Sequence, residues 1–234
     1  MTKARDTANL TGSGVGLSLL DIDAGTDIGA ALVDADLMIV DDGAGGTNRK
    51  ATMSRLATYM GTKIGGGMEF IASSGAISNA ASVAFTGFDA AKYDHYKFYF
   101  QHVIPATDNV YMVAHVSTDG GSSYDTTNGN YHYAGTGDNT GFEVTDKDGT
   151  GVGSDTNEFG LGGEFNLFAP HNSSAYTYAD SYVMYNNTTA GSISSRNVHA
   201  SMHLVAQDVD AIKFIFSSGN IESGEITMFG IVNS

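Results

Sequence analysis

Carboxylates are the most numerous side chains in this sequence that could do chemistry, with 26 Asp and Glu against 11 Lys and Arg. Glycoside hydrolysis needs only two of them, roughly 5–10 Å apart across a sugar ring. Asp108, Asp125, Asp138, Asp146 and Asp148 sit in turn contexts near Gly, Asn or Thr, where short acidic side chains end strands and bond to their own backbone. Pairs therefore arise from composition alone, and no catalytic residue is assigned. His199 and His203 would share a face of one strand with Ser201 between them. A zinc site wants three or four ligands, and no H-x-H or H-E-x-x-H spacing supplies them. Calcium would suit Asp138, Asn139, Asp146, Asp148, Asp155 and Glu158, which offer hard oxygens in a Gly-rich stretch, but these lack EF-hand order. Gly12-Ser13-Gly14-Val15-Gly16 has neither phosphate-loop spacing nor a preceding strand, G-x-S-x-G is absent, and there is no cysteine. Neither metal nor cofactor is expected.

A tighter constellation is Ser117-Thr118-Asp119-Gly120-Gly121-Ser122-Ser123-Tyr124. Asp119 is placed to accept backbone N–H groups of its own turn, with Tyr124 packed beneath. Ser117, Asp119, Gly121 and Tyr124 are thus read as a structural turn. The spacing resembles the Asp box, a hairpin turn that recurs several times in sialidase propellers and occurs once here. Tyrosines offer a different chemistry, since Tyr124, Tyr131, Tyr133, Tyr176 and Tyr178 fall in polar, loop-rich segments. There tyrosine supplies contact area at low entropic cost. These five are the candidate binding residues, for sugar stacking or protein contact, against the plainer reading that tyrosine packs on half-buried strands.

The elements that position these residues must be mostly strands. Thirty Gly, two Pro and 24 Phe plus Tyr without Trp in 234 residues favour short strands and many turns over long helices. From Met68 onward, apolar segments are separated by Gly, Asn, Asp and Ser: Met68–Ala72, Ala81–Thr86, Tyr93–His102, Val110–Ser117, Asn130–Ala134, Gly141–Val144, Gly163–Phe168, Tyr176–Tyr185, Val198–Ala206, Ala211–Ser217 and Glu225–Val232. That spacing predicts an all-β fold, an antiparallel jelly-roll-like β-sandwich. Ahead of it, residues 1–35 read as an extended arm. Asp36–Asp42 and Thr47–Met53 read as two strands about the glycine turn 43–46, and Thr52 or Ser54 caps a short helix carrying Leu56, Tyr59 and Met60 on one face. Gly65-Gly66-Gly67 is the expected hinge, giving an arm and hairpin–helix attachment module over 1–64 and a sandwich over 68–234. So small a first module should pack against copies of itself or against the following domain.

Charge narrows the partners. Residues 1–65 hold 6 basic and 8 acidic residues, leaving 5 and 18 for the rest, a net −13 in the second part of a chain at −15. Clustered cations for phosphate contacts are lacking, so nucleic acid is not an expected partner. No run of about 18 apolar residues and no leader pattern is present, so neither membrane insertion nor export is expected.

Two stretches resemble modules of tailed-phage virion proteins, notably from phages of marine bacteria. Asp36-Leu37-Met38-Ile39-Val40-Asp41-Asp42-Gly43 followed by Lys50-Ala51-Thr52-Met53-Ser54-Arg55-Leu56 is similar to a small oligomerising unit of tail fibres. Phe85-Thr86-Gly87-Phe88-Asp89, Val103-Ile104-Pro105-Ala106-Thr107, the Ser117–Tyr124 turn, Ser217–Gly224 and the closing Ile226-Thr227-Met228-Phe229-Gly230-Ile231 resemble a β-sandwich common at the C-termini of such fibres. The resemblance implies a structural protein of a bacteriophage virion, synthesised in the host cytoplasm. It would be a homotrimeric tail fibre or spike, attached to other virion proteins through its N-terminal part and presenting the sandwich to a host-surface glycan or receptor. Capsid decoration, head fibre or cement is the alternative, and a glycan depolymerase is the third reading. The resemblance does not imply an enzyme.

Overall fold

The computed structural model describes residues 27–41, 48–63, 67–133, 136–149, 151–155, 158–186 and 193–232. The arm up to residue 26, the turn 43–46 and two of the three hinge glycines lie outside them. The chain forms two compact units, Met1–Ile64 and Gly65–Ser234.

In the first unit β1 (Leu37–Asp41) pairs antiparallel with β2 (Asn48–Thr52), Leu37 opposite Thr52 and Ile39 opposite Lys50. The chain then turns directly into α1 (Met53–Lys63). Thr52 is the cap, its Oγ1 accepting the Arg55 N–H at 3.4 Å, which satisfies one of the donors a helix start leaves open. Met38, Val40 and Ala51 meet Arg55, Leu56 and Tyr59 in a shallow apolar groove of about 340 Å³. Leu37 and Ile39 occupy the other hairpin face, 60% and 57% exposed. No described side chain of this unit is buried.

The second unit contains β3 (Met68–Ser73), β4 (Ile77–Ala80), β5 (Val83–Phe85), β6 (Tyr93–Pro105), β7 (Met112–Ser117), β8 (Tyr131–Tyr133), β9 (Thr136–Asn139), β10 (Phe142–Glu143), β11 (Leu161–Phe168), β12 (Thr177–Asn186), β13 (Ile193–His203), β14 (Ala211–Phe216) and β15 (Ile221–Val232). They build an antiparallel sandwich. Its small sheet runs β10-β7-β14-β5 and its large one β3-β15-β6-β11-β12-β13-β8-β9, with β4 also on β15. The chain crosses between the sheets at β4–β5, β5–β6, β6–β7, β7–β8, β9–β10, β10–β11, β13–β14 and β14–β15, which makes the sandwich jelly-roll-like.

Period-2 patterning aims the side chains. On β12, Thr177, Ala179, Ser181, Val183 and Tyr185 are buried while Tyr178, Tyr182 and Met184 are exposed. The core is aromatic: Phe214 of the small sheet meets Phe98, Phe100 and Phe165 of the large one at ring-centroid distances of 5.1, 5.2 and 5.6 Å. These tilted and edge-on arrangements add to the area buried. Gly224, at φ +120°, carries β15 past the His102–Val103 backbone with no room for a Cβ, producing the bulge that bends β15 along β6.

Some boundaries differ from the sequence reading. The segment expected as Ala81–Thr86 shortens to Val83–Phe85, and the strand Ile77–Ala80 just before it, which lies in the other sheet and contains Asn79 at φ +49°, was not expected. Val110 makes only a bridge to Val152, and β13 ends at His203 rather than residue 206. β9 had no apolar signal to announce it.

Candidate functional site

The Ser117–Tyr124 turn is held by its own side chains. Asp119 Oδ1 accepts the Ser123 N–H at 2.8 Å and Oδ2 accepts the Ser123 hydroxyl at 2.6 Å. Ser117 Oγ donates to Asp119 Oδ1 at 2.8 Å and accepts the Gly121 N–H at 2.9 Å. These bonds, the Ser123 hydroxyl first, pull the Asp119 carboxyl down to about 2, because each favours the anion. Gly121, at φ +84°, leaves its Cβ space to the Tyr124 hydroxyl and Thr86. The Tyr124 ring lies under Lys213 Nζ at 4.3 Å. With its acceptors filled from within the loop, Asp119 is a turn residue.

The five candidate tyrosines do not form one surface. Tyr131 is fully buried, donating its hydroxyl to the Asp125 carbonyl at 2.9 Å and accepting the Val116 N–H at 3.1 Å. It is a core residue and presents nothing to a partner, because its side chain points into the sandwich from β8. Tyr133 donates its hydroxyl to Asp148 at 2.5 Å. Tyr124 lines a polar pocket of about 310 Å³ with Ser117, Asp125, Asn130 and Gln207. Tyr176 and Tyr178 are exposed.

Buried polar groups make a catalyst-like pattern that solvent does not reach. His203 Nε2 lies 2.8 Å from Asp125 Oδ2, and Thr177 is the cross-strand neighbour of His203, so the residue types are those of a nucleophile, base and orienting acid. Both Thr177 and His203 are 0% exposed, which denies a substrate any approach. Burial also raises the Glu143 carboxyl and lowers His199, and it lowers His115, aided by Lys213, to about 4. Among the described residues no three His, Asp or Glu side chains gather as a metal site. Asp146, named above as a calcium oxygen, instead accepts the N–H groups of Asp148 and Gly149, both at 2.9 Å.

The accessible feature is the outer face of the large sheet. Strand register places His95, Phe168, Tyr178, Met202 and His132 in one row across β6, β11, β12, β13 and β8, and Lys97, Asn166, Asp180 and Ala200 in the next. Tyr133 and Tyr178, two of the candidate tyrosines, line a mainly apolar groove of about 530 Å³ with Phe168, Asp180, Ala200, Met202 and His132. Asn166 Nδ2 donates to Asp180 Oδ1 at 2.7 Å, and Lys97 Nζ pairs with Glu164 at 2.9 Å. Such a groove of aromatic walls with a few fixed polar groups is suited to binding. The β12 segment was visible in the sequence as a strand, Tyr176–Tyr185. Its partners Phe168, Met202 and His132 were not, since only strand pairing brings them together.

Comparisons with protein families, curated proteins and solved structures gave no match to this chain.

Proposed function

We propose that the chain is a non-catalytic structural and binding subunit of a tailed-phage virion, of the tail-fibre or spike type. Residues 1–64 assemble it with copies of itself, a trimer by resemblance, and with other virion proteins, and the sandwich faces a host-surface glycan or receptor. The observation that carries this reading is the contrast in burial. The described part of the first unit has apolar side chains on both hairpin faces and buries none, whereas the second has a closed core and an accessible aromatic row. A hairpin–helix unit this small that buries none of its described side chains is at best marginally stable alone, so it calls for neighbours.

Native mass measurement should give a homo-oligomer, and immunogold labelling should decorate the tail of the particle. A stable 24.4 kDa monomer in solution, or an unlabelled virion, would count against the proposal, and label confined to the head would favour capsid decoration. Release of reducing sugar ends from host polysaccharide, abolished by changing a carboxylate, would make it an enzyme.

A further inference from the structure

We propose that the groove over Ala200 binds a choline-type quaternary ammonium group, with Asp180 supplying the counter-charge and Phe168 and Tyr178 supplying ring faces. The inference deepens the reading of the outer face as a recognition surface and rests on it.

Phe168 and Tyr178 are directly opposite each other on β11 and β12, the arrangement in which cross-strand rings usually pack. Yet Phe168 has its ring contact with His95, at 5.4 Å, and not with Tyr178. Tyr178 is 49% exposed, so an electron-rich face is left open beside the groove. A cation within about 6 Å of such a face is attracted by the ring quadrupole.

Asp180 sits in the adjoining row, half-buried. One of its oxygens is fixed by Asn166, and no described cation lies within ion-pair distance of it. Lys97, the positive charge nearest in the row, is taken by Glu164. Among the described residues Asp180 therefore makes no ion pair, and Lys97 acts on it only at longer range.

The rest of the lining selects among cations. Ala200 and Met202 give an apolar floor, on which a primary ammonium would forfeit hydrogen bonds to water while a methylated one has none to lose. The net −13 of residues 66–234 draws cations toward this unit and repels polyanions.

The test titrates the full chain with choline and with its uncharged isostere 3,3-dimethyl-1-butanol by calorimetry. Choline should bind in the millimolar range or tighter, and the isostere roughly tenfold more weakly or worse. Asp180→Asn and Tyr178→Ala should each weaken choline binding about tenfold, while Tyr178→Phe retains it. Tyr182→Ala, on the same strand outside the groove, should leave binding unchanged, and matched melting curves would show that each variant is folded. Equal affinity for choline and the isostere would overturn the proposal, as would full choline binding by Asp180→Asn or none by the intact chain. Host-cell binding that persists in Asp180→Asn would sink the ammonium site while leaving the virion reading standing, because that reading is tested separately by the native mass and by labelling of the particle.

Discussion

Phe214 and Leu37 are both apolar residues on strands, and their surroundings could hardly differ more. Phe214 is 0% exposed, ringed by Phe85, Phe98, Phe100 and Phe165. Leu37 is 60% exposed on a two-stranded hairpin, with no second layer over that face among the described residues of its unit. A second sheet is what converts an apolar strand face into stability, because the area removed from water sets the gain. The sandwich supplies that layer from its own strands, whereas on our proposal the hairpin–helix unit obtains it from copies of itself.

The largest expected effect follows directly. Phe214→Ala should lower the stability of the sandwich by about 3–5 kcal/mol in chemical denaturation, the transfer loss plus the cavity left behind. Leu37→Ala with Ile39→Ala should leave that transition in place and lower the native mass instead. A hairpin substitution that unfolded the sandwich would erase the distinction between the two regions.

Acid should sharpen it next. His115 is held neutral by burial first and by the neighbouring Lys213 second, with Asp125 opposing. Its folded value, about 4, lies below the 6.5 of the unfolded chain, so the unfolded state binds the proton first. The stability associated with this histidine is complete above pH 6.5 and is lost as pH falls toward 4, by up to about 3 kcal/mol. Denaturation of the intact chain and of His115→Gln at pH 7.5 and 4.5 isolates this contribution from Glu143, whose raised carboxyl acts in the opposite sense. A pH dependence identical in both would remove His115 as the cause.

The smallest effect is expected at the turn. Asp119→Ala should lower the melting temperature slightly and leave the outer groove untouched. Unchanged melting with lost host binding would move function from the sheet face to the loop.

What was legible in the sequence was local. The strand Tyr176–Tyr185 showed as a segment between turns, although Tyr178, Asp180, Tyr182 and Met184 share its outward face only in the structure, and Ser117, Asp119 and Gly121 declare a turn because their bonds span only a few residues. Tyr131 was misplaced because a buried tyrosine whose hydroxyl finds Asp125 and Val116 looks, in a polar segment, like one bound for solvent. The groove was illegible because β6, β11, β12, β13 and β8 converge from distant positions, and pairing register leaves no mark in any one strand.

The position of β15 has a kinetic consequence. Residues 221–232 pair with 93–105, 68–73 and 77–80 at once, so the strand that joins the opening segments of the sandwich is the last to be made. Loops of well over a hundred residues must close before those ladders can form, and contacts so remote in sequence make folding slow. During synthesis β3 and β6 wait as unpaired edges, a state prone to pairing with other chains. The hairpin and helix, whose contacts are local, can form long before. If the first unit assembles copies as proposed, assembly would precede the maturation of the surface it displays.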